Sequence, residues 1–171
     1  MDSAIHTDTL RPDPSAKSPA KIKDRKNSDT SLELALLKMG ITSNLLVDYA
    51  RTLIGTPYKY ASIDPLVGFD CSGFITHVFN HFKIKVPRSS KDFDNVGSPV
   101  KVDSSKVGDI ILFTGTDSTE RNIGHMGIII SNDSGIVRFI HSSSGKANGV
   151  VITPLNNYYK GRFVKVIRVF K

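Results

Sequence analysis

The spacing of apolar residues changes character near the middle of the chain, and that change restricts it to one class of architecture. Apolar residues recur at helical intervals in Leu46, Tyr49, Ala50 and Leu53, and again in Phe74, Ile75, Val78, Phe79 and Phe82. From Asp109 onward they run in short stretches over 109–113, 125–131, 136–141, 149–152 and 162–170, divided by Gly, Asn, Asp and Ser. Helices first and strands afterwards predict an α+β domain, with helices packed on a central antiparallel sheet of about five strands. Ser43 or Asn44 is placed to cap the first of these helices, which Gly55 and Pro57 stop, and residues 32–39 predict a shorter helix ended by Gly40.

Residues 1–30 carry prolines, alternating charges and almost no large apolar side chain, a composition that cannot build a core. They are expected to form a flexible tail, leaving 31–171 as one domain, expected to be monomeric. Lys and Arg number 23 against 16 Asp and Glu, a formal charge of +7 that favours anionic surroundings. The basic residues are scattered and no RNA-reading aromatic motif accompanies them, so nucleic acid is not the expected partner. No apolar run is long enough to span a bilayer, and the N-terminus lacks the apolar core of a signal peptide. The tail would suit a spacer behind a membrane anchor upstream or a cleaved signal, and equally an expression scar joined to a native linker.

The single cysteine excludes an intramolecular disulfide. In Gly68-Phe69-Asp70-Cys71-Ser72-Gly73-Phe74, small and polar residues precede a helical pattern, which puts Cys71 in the first turn of an amphipathic helix. Free N–H groups and the dipole at that end are expected to stabilise a thiolate near neutral pH, and the same N–H groups suit an oxyanion. Helical phase turns the thiol toward the body of the domain, which fits a buried structural cysteine as well as a nucleophile at the base of a cleft.

Strand alternation places His125 on a face with Gly127 and Ile129, and His141 on a face with Val137 and Phe139. A histidine at the end of an apolar face needs a partner. Two of them on neighbouring strands, beneath a helix-terminal cysteine, follow the chain order nucleophile, base, orienter. His125 would take the thiol proton and return it to a leaving amine, while a neutral His141 would accept the other ring N–H of His125 and fix its tautomer. His77 and His81 stand four apart on a helix, as in zinc peptidases, but Val78 occupies the position of the glutamate base and no third ligand is apparent, so no metal is expected. The polar stretch 114–122 reads as an exposed hairpin loop beside the site, with a substrate lid as the alternative.

Six ordered blocks, Gly55-Thr56-Pro57-Tyr58-Lys59-Tyr60, Asp70-Cys71-Ser72-Gly73-Phe74, Pro87-Arg88-Ser89-Ser90, Gly108-Asp109, Gly124-His125-Met126-Gly127-Ile128 and Phe139-Ile140-His141-Ser142, resemble the NlpC/P60 family over residues 43–170. The resemblance implies a papain-like fold and a cofactor-free, metal-free cysteine endopeptidase acting on peptidoglycan stem peptides, commonly between D-glutamate and a diamino acid. It implies a Cys71, His125, His141 triad, with Tyr60 beside the thiolate for oxyanion or substrate, and with Asp70 and Ser72 on the stem peptide. Asp70 and Ser72 suit a structural N-cap and first turn equally well. The family usually has paired glycines where this chain has Ala61-Ser62 and an apolar stretch 63–67, which would reshape one wall of the cleft. The implied setting is the cell envelope, periplasmic or extracellular. A cysteine-dependent amidase or acyltransferase on the same scaffold, and a non-catalytic wall-binding module, are the alternative functions.

Overall fold

The computed structural model describes residues 31–32, 34–117 and 120–170. The tail expected over 1–30 lies outside the described residues, as do positions 118 and 119 of the polar loop.

Residues 34–38 are helical as the pattern predicts. Helix α1 (Ser43–Thr52) buries Leu46, Val47 and Ala50. Its cap is Thr42, one residue before the expected Ser43 or Asn44: Thr42 has extended backbone, and its Oγ1 accepts the Leu45 N–H at 3.2 Å. A small hairpin not anticipated from the apolar pattern, β1 (Ile63–Asp64) with β2 (Gly68–Phe69), then leads into helix α2 (Cys71–His81). Asp70 caps α2 by accepting the Gly73 N–H, and the helix buries Phe74, Ile75, Val78 and Phe79, the stripe its spacing predicts.

The main sheet has six strands, one more than expected: β3 (Ser98–Val100), β4 (Ile110–Thr114), β5 (Ile123–Asp133), β6 (Ile136–Ser143), β7 (Gly149–Pro154) and β8 (Phe163–Arg168). They lie in the order β3-β8-β4-β5-β6-β7, antiparallel at every pairing. The extra strand is a three-residue edge piece containing Pro99, too short and too interrupted to show period two. The last strand begins at Phe163, because residues Asn157–Arg162 form a short helix, α3, capped by Asn156 through its Oδ1 and the Tyr159 N–H at 3.2 Å. Arg162, expected to open that strand, closes the helix instead. Among the described residues no helix is long and apolar enough to cross a membrane.

The sheet is buried on both faces. Ile110, Leu112, Met126, Ile128 and Ile140 pack in one cluster with the apolar stripes of α1 and α2, whereas Ile111, Phe113, Ile129, Phe139 and Val166 pack in a second with Tyr159 of α3. Every residue of β4 is buried, as expected of a strand covered on both sides. By alternation His125 and His141 belong to the second face, opposite the one that receives α2. The two histidines are therefore not beneath the cysteine helix. Of the two, His125 shares a cleft with Cys71, and His141 is buried behind it. Arg168 of β8 closes the structure near β4 through a two-pronged pair with Asp109, its Nε and Nη2 donating at 3.0 and 2.8 Å to a carboxylate that is 2% exposed.

Candidate active site

A bulge in β5 joins the two faces beside His125. Phe113 pairs with His125 and Thr114 pairs with Ile123, so Gly124 is the extra residue of β5, left out of the ladder with β4. Its unpaired carbonyl takes the Cys71 Sγ–H at 3.7 Å. A side chain at this position has no room, since a Cβ would stand 2.6 Å from Gly115 Cα. Cys71 and His125 thus line one cleft of about 970 Å³, large enough for several peptide residues.

His125 is held by contacts on every side but the cleft. Its Nε2 lies 2.8 Å from His141 Nδ1, and His141 Nε2 lies 2.9 Å from Thr153 Oγ1. Phe113 and Tyr159 flank the His125 ring, and Phe139 and Tyr159 flank that of His141, which is fully buried. Burial pushes the pKa of both below the ordinary imidazole value: His125 well below it, with the fields of His141 and Arg162 adding to the shift, and His141 down to about 4, with Arg162 adding. Both rings are therefore neutral at pH 7. In that state the chain His125 Nε2–H to His141 Nδ1, then His141 Nε2–H to Thr153 Oγ1, satisfies three of the four ring nitrogens and leaves His125 Nδ1 as an open lone pair.

The lowered pKa expected of the thiol is not what this environment produces. Burial first, and the neighbouring Asp70 carboxylate second, push Cys71 up to about 11, against the pull of backbone N–H groups of Ser72, Cys71 and Met126. The helix-terminal N–H groups act in the expected direction, but desolvation outweighs them.

Asp70 and Ser72 face the other side of Cys71. Asp70 receives Arg88 Nη1 at 3.0 Å on Oδ1 and Nη2 on Oδ2, and Ser72 Oγ bridges the two, donating to Asp70 Oδ1 and accepting Arg88 Nη1 at 2.9 Å. The pair is thus neutralised and tied to the first turn of α2, and Arg88 is what holds it. Tyr60, 81% exposed, lines a shallower cleft there with Asp70, Ser72 and Cys71. Tyr58, which the sequence pattern does not single out, lines both clefts, and burial followed by the field of an ionised Cys71 raises its pKa. Two adjacent bridges anchor it, Pro57 with Gly149 and Tyr58 with Phe69. Gly115 and Thr116 of the polar loop stand on the wall of the larger cleft.

His77 and His81 are engaged elsewhere: His77 Nε2 lies 3.0 Å from Tyr49 Oη, and His81 stacks on the Tyr49 ring with centroids 3.5 Å apart. Among the described residues no group of three His, Cys, Asp or Glu is placed to hold a metal ion.

A sheet buried on both faces, a cysteine at a helix N-terminus and a histidine pair across a bulge define a papain-like scaffold. Residues 55–168 match the family model described as NlpC/P60 family, and the chain belongs to that family. It is 35% identical over 130 residues to the "Gamma-DL-glutamyl hydrolase" of Bacillus subtilis, covering 75% of this chain and 30% of that protein. It is 41% identical over 120 residues to the "Probable peptidoglycan endopeptidase LytE" of the same organism, covering 70% of this chain and 32% of the relative. The chain thus spans about a third of the length of these relatives. The crystal structure of an NlpC/P60 family protein from Bacillus cereus superposes with a TM-score of 0.65 at 27% identity, over 75% of this chain and 40% of that one.

Proposed function

We propose that the chain is a cysteine peptidase that hydrolyses the stem peptide of peptidoglycan, at the bond between γ-linked D-glutamate and the diamino acid that follows. The observation that carries this reading is the 2.8 Å contact between His125 Nε2 and the buried His141 Nδ1, with His125 and Cys71 lining one cleft. It is supported by relatives named as a γ-DL-glutamyl hydrolase and a peptidoglycan endopeptidase. The glutamyl side of the bond and the peptidoglycan substrate are carried over from those names, and the diamino acid side is what the family resemblance implies. That substrate belongs to the cell envelope, where this reading places the activity.

In the resting site the thiol and both imidazoles are neutral, so deprotonation accompanies attack. His125 Nδ1 takes the Sγ proton as sulfur bonds to the γ-carbonyl carbon of D-glutamate, and His141 stabilises the imidazolium through Nε2–H of His125. The carbonyl oxygen becomes an oxyanion facing the N–H groups at the start of α2 and the Tyr58 hydroxyl. Tyr58 takes this part, since it lines both clefts with Cys71, whereas the expected Tyr60 lines only the shallower one. The C–N bond then breaks, and His125 gives its proton to the leaving amine. Water, deprotonated by His125, cleaves the thioester and restores the thiol. Asp70 and Ser72 act through Arg88 as the fixed wall of the acyl side.

Mass spectrometry of purified muropeptides after incubation with wild type and Cys71→Ala tests the reading. Release of the fragment beyond the second stem residue, in wild type only, is the expected result. Intact peptides in both samples would reject it, and a product carrying a new amine in place of water would identify an acyltransferase.

A further inference from the structure

Arg162 lies in the cleft and has no part in the steps above. It is held in place at the end of α3: Nη1 donates to Tyr158 Oη at 2.7 Å and Nη2 to the Thr114 carbonyl at 2.7 Å. The guanidinium carbon stands 5.1 Å from the Tyr158 ring centroid. Its Nε is the one buried side-chain nitrogen or oxygen among the described residues that lacks a hydrogen-bond partner. None of the three ion pairs among the described residues includes it: Arg88, Lys165 and Arg168 have carboxylates and Arg162 has none. The Nε is sealed from solvent, but each Nη keeps one N–H beyond the bond named, and a fixed, half-buried guanidinium with no counter-ion among the described residues is favoured by an anion that meets those N–H groups from the cleft. The rest of the cleft agrees, since Lys146 also lines it and, among the described residues, no Asp or Glu does.

The position also says which half of a substrate supplies the anion. His125 protonates the leaving amine, so the departing half must lie on the His125 side of Cys71, the side Arg162 occupies. The acyl half lies toward Tyr60 and the Asp70–Arg88 wall. We infer that Arg162 is a specificity-determining residue that binds a free carboxylate on the diamino acid released by cleavage. This rests on the peptidase reading above and adds the chemistry of its leaving half: a diamino residue bearing two carboxylates offers Arg162 a ligand that a lysine residue within a longer stem does not. A bound carboxylate also offsets the field of Arg162 at His125, which favours the imidazolium needed during attack.

The test uses L-alanyl-γ-D-glutamyl-diaminopimelic acid with both diaminopimelate carboxylates free, and its two mono-amides. In wild type, one amidation is expected to lower kcat/KM about tenfold or more, chiefly through KM, the effect of losing a charge-assisted hydrogen bond. Arg162→Gln is expected to cleave acid and amide alike, and Arg162→Lys, which keeps the charge without the planar fork, to retain part of the preference. Amides cleaved by wild type within about twofold of the acid, or an amide penalty unchanged in Arg162→Gln, would overturn the inference, as would Arg162→Gln losing both activities equally. The wild-type comparison stands whether or not the Gln variant folds. Calorimetric binding of the same peptides to Cys71→Ala separates the two readings: acid preferred there while wild type cleaves none of them would sustain the anion site and remove the peptidase assignment.

Discussion

Replacing His141 with Phe isolates the part of the site that no single residue supplies. Phe keeps a ring between Phe139 and Tyr159 but removes both nitrogens, one 2.8 Å from His125 Nε2 and one 2.9 Å from Thr153 Oγ1. Thr153 is half-buried and can turn to water, whereas the His125 Nε2–H points into the aromatic pack behind the cleft. An unsatisfied donor there costs about 1–3 kcal/mol, which in a chain of this size lowers Tm by roughly 2–10 °C. The catalytic loss is larger. Without an acceptor at Nε2, His125 is free to carry its proton on Nδ1, the nitrogen required as base, and a misplaced general base costs about 10²–10⁴-fold in kcat. Thr153→Val, which leaves His141 in place but unanchored, is expected to cost about tenfold, one lost hydrogen bond of about 1 kcal/mol or slightly more. The assay is kcat and KM on a γ-D-glutamyl tripeptide, with thermal unfolding of each variant alongside. A His141→Phe protein that is folded and within about threefold of wild-type kcat would refute the orienting role.

Iodoacetamide tests the coupling of thiol and base directly: with Cys71 held up near 11 by its surroundings, alkylation at pH 7 depends on His125 taking the proton, so His125→Ala is expected to slow it about tenfold or more. Stability should fall with acid in a defined window. Folded His141 titrates at about 4 against 6.5 unfolded, so its contribution is complete above pH 6.5 and is lost as pH falls toward 4, with His125 acting in the same direction. The His141 share is on the order of 3 kcal/mol, and urea unfolding at pH 7 and pH 5 reads most of it. Arg168→Met strands the buried Asp109 carboxylate and is expected to cost about 3–5 kcal/mol, while the Asp109→Asn, Arg168→Met double variant recovers part of the loss in the same unfolding assay.

Local pattern carried much of this protein. The placement of Cys71 in the first turn of α2, the buried stripe of that helix, five of the six main-sheet strands and the α+β class follow from side-chain period and capping chemistry, which act over a few residues. The strand run Ile110 to Phe113 even held the sign that both sheet faces are covered, since all of its side chains are apolar. What local pattern could not reach was which surfaces meet. Alternation assigns His125 and His141 to one face but does not say which helix covers that face, and a three-residue edge strand is too short to have a period. Asp70 could be read as a cap or as a ligand. Its pairing with Arg88, eighteen residues away, decides what surrounds it.

The chain therefore determined its elements and the identity of the cysteine and two histidines by short-range sterics and hydrophobic period. Tertiary structure alone decided the rest: that the bulge at Gly124 brings Cys71 and His125 to one cleft, that burial overrides the helix dipole at the thiol, that Tyr58 lines both clefts with Cys71 while Tyr60 lines only one, and that Arg162 enters the site with no counter-ion among the described residues. Each of these depends on desolvation or on a contact between residues distant in sequence. Such energies arise only when separate elements are packed together and water is excluded between them.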